Sequence, residues 1–388
     1  MPLPKIAFFI TRLDYGGAEK VMRLLIEELH TRYDIHLILT VKLRHITLPE
    51  RVNIFYLTES ETTGWRNFAK IPLLAYQYRR YLVKNNISLS LSFLLRPNLI
   101  AAFTRFLGWR GTLILSERSS PISFYSLQGK SGQLALFLMK KIFPQADVIL
   151  PNSFGALHAL RDILKIKTRY EVIYNPLDIP KTLQRAAVNV SQLIDFERFT
   201  FICVGQLHPY KNHQLLLHAF AELTDMDCQL LIVGDGEEAN NLKQLAQQLK
   251  LESKVIFVGY DDNPLRFLSK SHCFVTATNV EGMPNVLLEA LSLGLPVIST
   301  DCVSGPRELL APRSDVNFKL EKGIEKAEYG LLVPTNAPQD LADAMKTMYQ
   351  NNDLRVHYAH IGQRRAATFA KPIMIRKFAD LLDSFLKK

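Results

Sequence analysis

Short apolar runs alternate with stretches of helical periodicity along nearly the whole chain. Ile6-Ala7-Phe8-Phe9-Ile10 is apolar at every position, the pattern of a strand buried on both faces rather than one with a wet side. The loop Thr11-Arg12-Leu13-Asp14-Tyr15-Gly16-Gly17 follows, then an amphipathic helix from Ala18 to about His30. Further strands are predicted near 35–41, 52–57, 87–93, 112–116 and 147–150, with helices between most of them. After the extended Val172-Ile173-Tyr174-Asn175-Pro176-Leu177-Asp178 and a polar stretch to about residue 198, the scheme repeats. Strands are expected at 199–205, 229–234, 255–259, 273–277, 296–300 and 330–333. Residues 311–328 fit neither period and are read as a loop insertion. From about 338 the chain is helical, and a final helix over 372–388 suits packing on either half.

Strand–helix alternation with short connections implies mostly parallel sheets covered on both faces. The expectation is an α/β protein of two doubly wound, Rossmann-like domains: 1–178, 179–370, and a C-terminal helix over 371–388. A linker is placed near 175–198, and ligands are expected in an interdomain cleft, outside the carboxyl ends of the strands. A chain of 388 residues exceeds a usual single core, which agrees with two.

Composition changes this picture little; charge changes it more. The chain is 48% hydrophobic and 22% charged, ordinary for a globular protein. Met1-Pro2-Leu3-Pro4-Lys5 runs into the first strand without a signal-peptide cleavage pattern, and no apolar run reaches membrane-spanning length, so a cytoplasmic location is expected. Cys203, Cys228, Cys273 and Cys302 show no CxxC spacing and read as reduced thiols. Up to Pro180 there are 24 Lys+Arg against 13 Asp+Glu; from Lys181 onward there are 23 against 24. The basic excess therefore lies in the first half, which suits a phosphate-bearing partner or an anionic membrane surface. Two segments interleave apolar and basic residues as interfacial helices do: 65–81, from Trp65 to Tyr81, and 134–143. The same pattern also describes helices that cover a sheet.

The chemistry concentrates in Glu281-Gly282-Met283-Pro284-Asn285-Val286-Leu287-Leu288-Glu289. A Gly followed by a Pro suited to the first helical position starts a helix, leaving Glu281 on a loop and Glu289 about a turn and a half in. Amides around Asn285, Val286 and Leu287 then present the positive helix end, a seat for phosphate. Two carboxylates around such a seat suit a sugar nucleotide. Lys211, six residues beyond the strand ending Cys203-Val204-Gly205, can neutralise a departing diphosphate. Gly16-Gly17 before the first helix offers a weaker seat of the same kind. Other signals are discounted. Gly234-Asp235-Gly236 lacks the third glycine of a dinucleotide fingerprint. Asp225-Met226-Asp227 lies between a helix and a strand and reads as a solvated turn, and His208, His213 and His218 do not share a helical face. No metal site is predicted.

Taken together, Val204-Gly205-Gln206-Leu207 with Lys211-Asn212, Ile232-Val233-Gly234-Asp235-Gly236, Val258-Gly259-Tyr260 and Glu281-x7-Glu289 resemble glycosyltransferase family 4, the large retaining family with the GT-B fold. Gly16-Gly17-Ala18-Glu19 and Val172 to Pro176 extend the resemblance over nearly the whole chain. Glu281 to Ala290 followed by Gly305-Pro306-Arg307-Glu308 is most similar to bacterial hexosaminyl- and galactosyltransferases of lipid-linked polysaccharide or glycan assembly. The resemblance implies that Glu289 binds ribose hydroxyls, Glu281 faces the transferred sugar, amides near Pro284 to Val286, Asn285 among them, hold the diphosphate, Met283 lies in the donor site, and Lys211 stabilises the leaving group. Gly205, Gln206 and Tyr260 would complete the donor site, with uracil at Tyr260. Gly16, Gly17 and Arg118 would contact acceptor or phosphate.

The implied reaction needs no metal and no cofactor beyond the nucleotide sugar. It moves a hexose or N-acetylhexosamine from a UDP-sugar to a polyprenyl-diphosphate-linked glycan, by an enzyme peripheral on the inner face of the membrane and without nucleic acid. Two positions depart from the family pattern: Gln206 stands where many relatives have Arg, and Arg118 where many have His. A GT-B-fold sugar-nucleotide epimerase or hydrolase, and a non-catalytic nucleotide-sugar binding protein, are the alternatives.

Overall fold

The computed structural model describes residues 2–13, 16–42, 47–57, 66–126, 128–190 and 194–386. Asp14 and Tyr15 of the first loop, Trp65 at the head of the aromatic-basic segment, and 191–193 of the predicted linker lie outside the described residues. The chain divides into two compact units, one of residues Met1–Pro176 with Pro372–Lys388, the other Leu177–Lys371.

The first unit is built on six strands: β1 Lys5–Ile10, β2 Asp34–Leu39, β3 Asn53–Tyr56, β4 Leu89–Phe93, β5 Thr112–Ser116 and β6 Val148–Ile149. They pair in the order β3-β2-β1-β4-β5-β6, and every pairing is parallel. The chain winds outward from β1 through β3, then returns to build β4 to β6 on the other side. This reversal leaves a crevice at the carboxyl ends of β1 and β4, where doubly wound sheets take ligands. Residues 6–10 of β1 are fully buried, as the unbroken apolar run requires. Helices close the faces: Tyr78 of helix Ile71–Lys84 packs against Phe9 with ring centroids 4.8 Å apart, and Met139 of helix Gly129–Ile142 joins the same core. Both aromatic-basic segments thus bury one face, while Leu73, Tyr76, Val83 and Phe137 remain exposed. The final helix, Lys371–Leu386, is anchored in this unit by Asp383, which accepts from Tyr33 at 2.7 Å and pairs with Arg32.

The second unit contains β7 Phe199–Val204, β8 Cys228–Val233, β9 Val255–Gly259, β10 Cys273–Thr276, β11 Val297–Thr300, β12 Glu325–Ala327 and β13 Gly330–Val333. Their order is β12-β13-β11-β10-β7-β8-β9, parallel except for the antiparallel edge pair β12–β13. Its switch point falls between β7 and β10. Phe201, Ile232, Val275 and Ile298 fill the core beside Leu216, Phe220 and Met345 from the covering helices. The first and last residues of this unit are zipped together: Leu177 N–H donates to Phe369 C=O at 2.9 Å, Lys371 N–H to Leu177 C=O at 2.8 Å, and Lys371 Nζ meets Asp178 at 2.8 Å.

Two expectations are corrected. The stretch read as a polar linker contains a helix, Ile179–Ala186, started by Asp178, whose side chain accepts from Lys181 N–H, and by Pro180 in its first turn. Its carbonyls at Arg185 and Ala186 accept from Asn263 and Ser269 at 2.8 and 2.9 Å, so it belongs to the second unit. The insertion at 311–328 is not all loop, because its end forms edge strand β12. All four cysteines are free and buried. Among the described residues, no helix is long and apolar enough to cross a membrane.

Candidate active site

At the second unit's switch point, the loop after β7 and the loop after β10 come together. The β7 loop begins at Gly205, where an added Cβ would meet nothing within 4 Å, so the backbone faces open space. Gln206 beside it is exposed. At the end of β8, Gly234 (φ +145°) lies so close to the Gly205 carbonyl that a side chain there would collide with it. The loop ends in one 3-10 turn, Pro209–Lys211. Asn212 follows in the left-handed region at φ 52°, ψ 43°, and its side chain caps helix His213–Ala221.

The β10 loop is stitched to this turn. Asn279 N–H donates to the Tyr210 carbonyl at 2.8 Å, and the Thr278 hydroxyl reaches the same carbonyl at 3.3 Å. Thr300 at the end of β11 in turn donates to Thr278 C=O at 2.6 Å. These bonds bring Lys211 and Glu281 face to face, and the Lys211 ammonium donates to Glu281 Oε1. Their side chains keep 21% and 12% of their exposure, so the pair is sheltered but open to a ligand. Burial acts to lower the Lys211 pKa, but the charge and hydrogen bond of Glu281 outweigh it, and the net shift is upward. The ammonium also lies 5.7 Å from the Tyr210 ring centroid.

Beyond Glu281 the chain turns through Gly282, Met283 and Pro284 into helix Asn285–Ser292. Pro284 is the cap of this helix, at φ −73° and ψ 105°, rather than its first residue as the sequence suggests. The Leu288 N–H makes the first helical bond, to Pro284 C=O at 3.4 Å, so the amides of Asn285, Val286 and Leu287 precede it at the positive helix end. Met283 and Glu289 are buried at 5% and 7%, whereas Tyr260, next to Gly259 in the left-handed region, is 60% exposed. Lys211, Glu281 and the helix start thus form one group, with Gly205 and Gln206 opening the β7 loop that carries Lys211.

Sequence reasoning passed over what lies beneath this turn. Gly305 has φ +89°, and a Cβ there would stand 2.6 Å from Pro284 Cδ and 2.8 Å from Gly282 O. The Ser304 hydroxyl donates to the Glu281 carbonyl. Gly305 was visible in the sequence as part of a motif, but only the fold shows that it floors the Glu281–Pro284 turn.

In the first unit, Gly16 caps helix Gly17–Leu29, and the Glu19 carboxylate folds back against it. Arg118 follows β5. It is 8% exposed, lies 4.7 Å over the Phe93 ring, and donates to Ser116 Oγ at 3.3 Å and to Asn175 Oδ1. Glu117 beside it is fully buried; its Oε1 accepts from the Ser119 hydroxyl at 2.8 Å, and its Oε2 has no partner. Burial pushes the Glu117 pKa up to about 7, against the opposing pull of Ser119 and Arg118. Burial likewise draws Arg118 below the usual guanidinium value.

The discounted signals have ordinary explanations. Asp227 pairs with Arg198 at 2.7 Å, and His208 with Glu237 at 2.9 Å. Among the described residues, no group of three or more His, Cys, Asp or Glu is placed to hold a metal ion.

Two doubly wound, nearly all-parallel units in one chain are the architecture of the GT-B fold. Comparison with known proteins agrees. The family described as glycosyl transferases group 1 matches residues 185–365. An N-acetylgalactosamine-N,N'-diacetylbacillosaminyl-diphospho-undecaprenol 4-alpha-N-acetylgalactosaminyltransferase of Campylobacter jejuni is 32% identical over 371 residues, 95% of this chain and 96% of that protein. Among solved structures, the sucrose-phosphate synthase of Thermosynechococcus elongatus superimposes with a TM-score of 0.85 at 18% identity, covering 99% of both chains. The Anabaena protein HepE in complex with UDP gives 0.77 at 19% identity, covering 98% of this chain and all of that one. The chain belongs to the group 1 glycosyltransferase family and is a glycosyltransferase.

Proposed function

We propose that this enzyme transfers a hexose or N-acetylhexosamine, of the N-acetylgalactosamine, N-acetylglucosamine or galactose type, from a UDP-sugar to a saccharide carried on a polyprenyl diphosphate. The observation that carries the donor half is the Lys211–Glu281 pair beside the start of helix Asn285–Ser292. The acceptor half is supported by the Campylobacter relative, whose name describes N-acetylgalactosaminyl transfer onto a diphospho-undecaprenol-linked saccharide.

In this reading the diphosphate lies against the amides of Asn285, Val286 and Leu287, and Lys211 turns from Glu281 toward its oxygens. Glu281, released, accepts hydroxyls of the sugar; Glu289 takes the ribose, and Tyr260 lies against the base. The bond from the anomeric carbon to the β-phosphate oxygen breaks as the acceptor oxygen bonds on the same face, so configuration is retained. The acceptor proton passes to a β-phosphate oxygen, and UDP leaves with the electron pair. Neither glutamate forms a covalent bond, and Lys211 with the helix amides does the neutralising that a divalent ion does elsewhere. Gly16 and Gly17 serve the acceptor side, and Arg118, enclosed by Phe93, Ser116 and Asn175, braces the loop after β5.

The first unit rests on an anionic membrane surface. The excess of Lys and Arg before residue 180 supports this, as do Leu73, Tyr76 and Phe137, exposed on helices that also carry Arg80, Lys140 and Lys141.

The test is transfer by purified protein from UDP-N-acetylgalactosamine, UDP-N-acetylglucosamine and UDP-galactose with a membrane extract as acceptor, products resolved by mass spectrometry. A lipid-linked product one sugar longer is expected. Free sugar or an epimerised nucleotide without acceptor would replace this reading with a hydrolase or epimerase, and UDP binding without turnover would leave a binding protein. Liposome flotation checks the membrane claim: binding should require anionic lipid and weaken with salt.

A further inference from the structure

The turn that carries Glu281 rests on Ser304 and Gly305, and those two residues belong to a loop closed at its own base by an ion pair. Asp301 ends the strand side of the loop and Arg307 begins the helix side, Pro306–Leu310. The guanidinium grips Asp301 with two prongs: Nε reaches Oδ1 at 3.0 Å, and Nη2 reaches Oδ2 at 2.6 Å. Both side chains are almost completely enclosed, Arg307 at 3% and Asp301 at 1% exposure.

The remaining donors of Arg307 hold the 311–328 insertion. Nη2 meets Glu325 Oε2 of β12 at 2.7 Å, Nη1 meets Ser314 Oγ at 3.0 Å, and the Phe318 ring lies 4.7 Å from the guanidinium carbon. Asp301 in turn accepts from Leu320 N–H at 2.9 Å. The insertion therefore covers the buried Asp301–Arg307 pair and supplies the partly exposed Glu325 as the third member of an ion triad, which fixes both ends of residues 302–306. Above that segment the tolerance is small. Gly305 meets Pro284 and Gly282 with no room for a Cβ and the Ser304 hydroxyl donates to the Glu281 carbonyl, so a shift of the loop must move the turn that places Glu281.

We propose that Arg307 is a positioning residue for sugar transfer: by clamping Asp301 and Glu325 it sets the floor on which Glu281 is held. This rests on Glu281 and Lys211 being the donor-side machinery. Only an arginine has the flat fork that serves two carboxylates at once; a lysine keeps the charge and loses the geometry.

The experiment is a double-mutant cycle between Arg307→Lys and Glu281→Ala. It is read as turnover of whichever UDP-sugar in the panel the wild type uses, with UDP affinity and thermal melting measured alongside. Arg307→Lys is expected to lower kcat about 10-fold to 100-fold, the scale of a small misplacement at a reacting centre. The affinity for UDP, which lacks the transferred sugar that Glu281 faces, should change less than about threefold. In the Glu281→Ala background Arg307→Lys should add less than about twofold, because it acts through the group already removed.

Glu325→Gln keeps the Asp301–Arg307 clamp and serves if the lysine variant does not fold. A smaller loss with the same lack of additivity is expected. Fully additive losses, an unchanged kcat in folded variant, or a parallel fall in UDP affinity would each overturn the proposal and leave the triad as a structural feature only. If Glu281→Ala itself turns over at the wild-type rate, the donor-site reading fails first. If Glu281→Ala is impaired and the Arg307 and Glu325 variants are not, this inference alone fails.

Discussion

Both units place charged residues at the carboxyl ends of parallel strands, at the switch itself in the second and one strand beyond it in the first, and use them in opposite ways. In the second unit Lys211 and Glu281 come from different loops, meet each other, and keep part of their surface open. In the first, Glu117 and Arg118 are neighbours on one strand end and are enclosed. There the guanidinium is held by Ser116, Asn175 and the Phe93 ring. A partly open ion pair can exchange one partner for a ligand at modest cost. Two enclosed neighbours with Glu117 Oε2 and Arg118 Nε unpartnered cannot release their remaining contacts without leaving more buried polar atoms stranded. The contrast separates a site that rearranges around substrate from a frame that resists rearrangement.

The largest effect should come from the open pair. Lys211→Ala and Glu281→Ala are expected to lower transfer by about 10²-fold to 10³-fold, the loss typical of removing one preorganised charge contact, with circular dichroism unchanged. Wild-type rates in both would erase the contrast. Next is the enclosed carboxyl. Glu117 has its folded pKa raised to about 7 from a usual 4.5, so between those values the native state holds a proton that the unfolded chain has lost. Stability therefore falls as pH rises from about 4.5 to 7 and levels off above, by on the order of 2–3 kcal/mol. Glu117→Gln should flatten this segment of the melting-temperature profile; a profile unchanged by the substitution would mean that the carboxyl is not desolvated.

Arg118→Lys sharpens the comparison further. As an internal brace its replacement should lower stability by about 1–3 kcal/mol through the lost bonds to Ser116 and Asn175, with the KM for acceptor unchanged. A raised acceptor KM at unchanged melting temperature would place Arg118 at the acceptor instead. The smallest effect is expected from Asp227→Ala. Its exposed ion pair with Arg198 contributes about 0–1 kcal/mol, and the response of transfer to chelator should be the same with and without it.

How much of this was legible follows from distance along the chain. The unbroken apolar run 6–10 announced a two-faced strand, and Glu281-Gly-Met-Pro announced a loop entering a helix, because both signals lie within a few residues. Asp178-Ile179-Pro180 was equally local, a cap with proline in the first turn, yet its polar surroundings masked the helix it starts. Arg307 stood in plain view inside Gly305 to Glu308. Its meaning depends on Glu325 in an edge strand of three residues, too short to show periodicity, and on a glycine contact 23 residues back at Gly282. Nor does any sequence pattern show that Arg118 turns inward to Asn175, 57 positions away.

The zipped ends of the second unit carry a different consequence. Because Leu177 and Lys371 pair with each other, the whole second unit enters and leaves the chain at one point, as an inserted domain does, with the first unit's own sequence resuming at Pro372. Such a topology makes the half a cassette. Residues 177–371 can be exchanged against the matching segment of another family member at two adjacent junctions, so the two units become separable parts in both evolution and engineering.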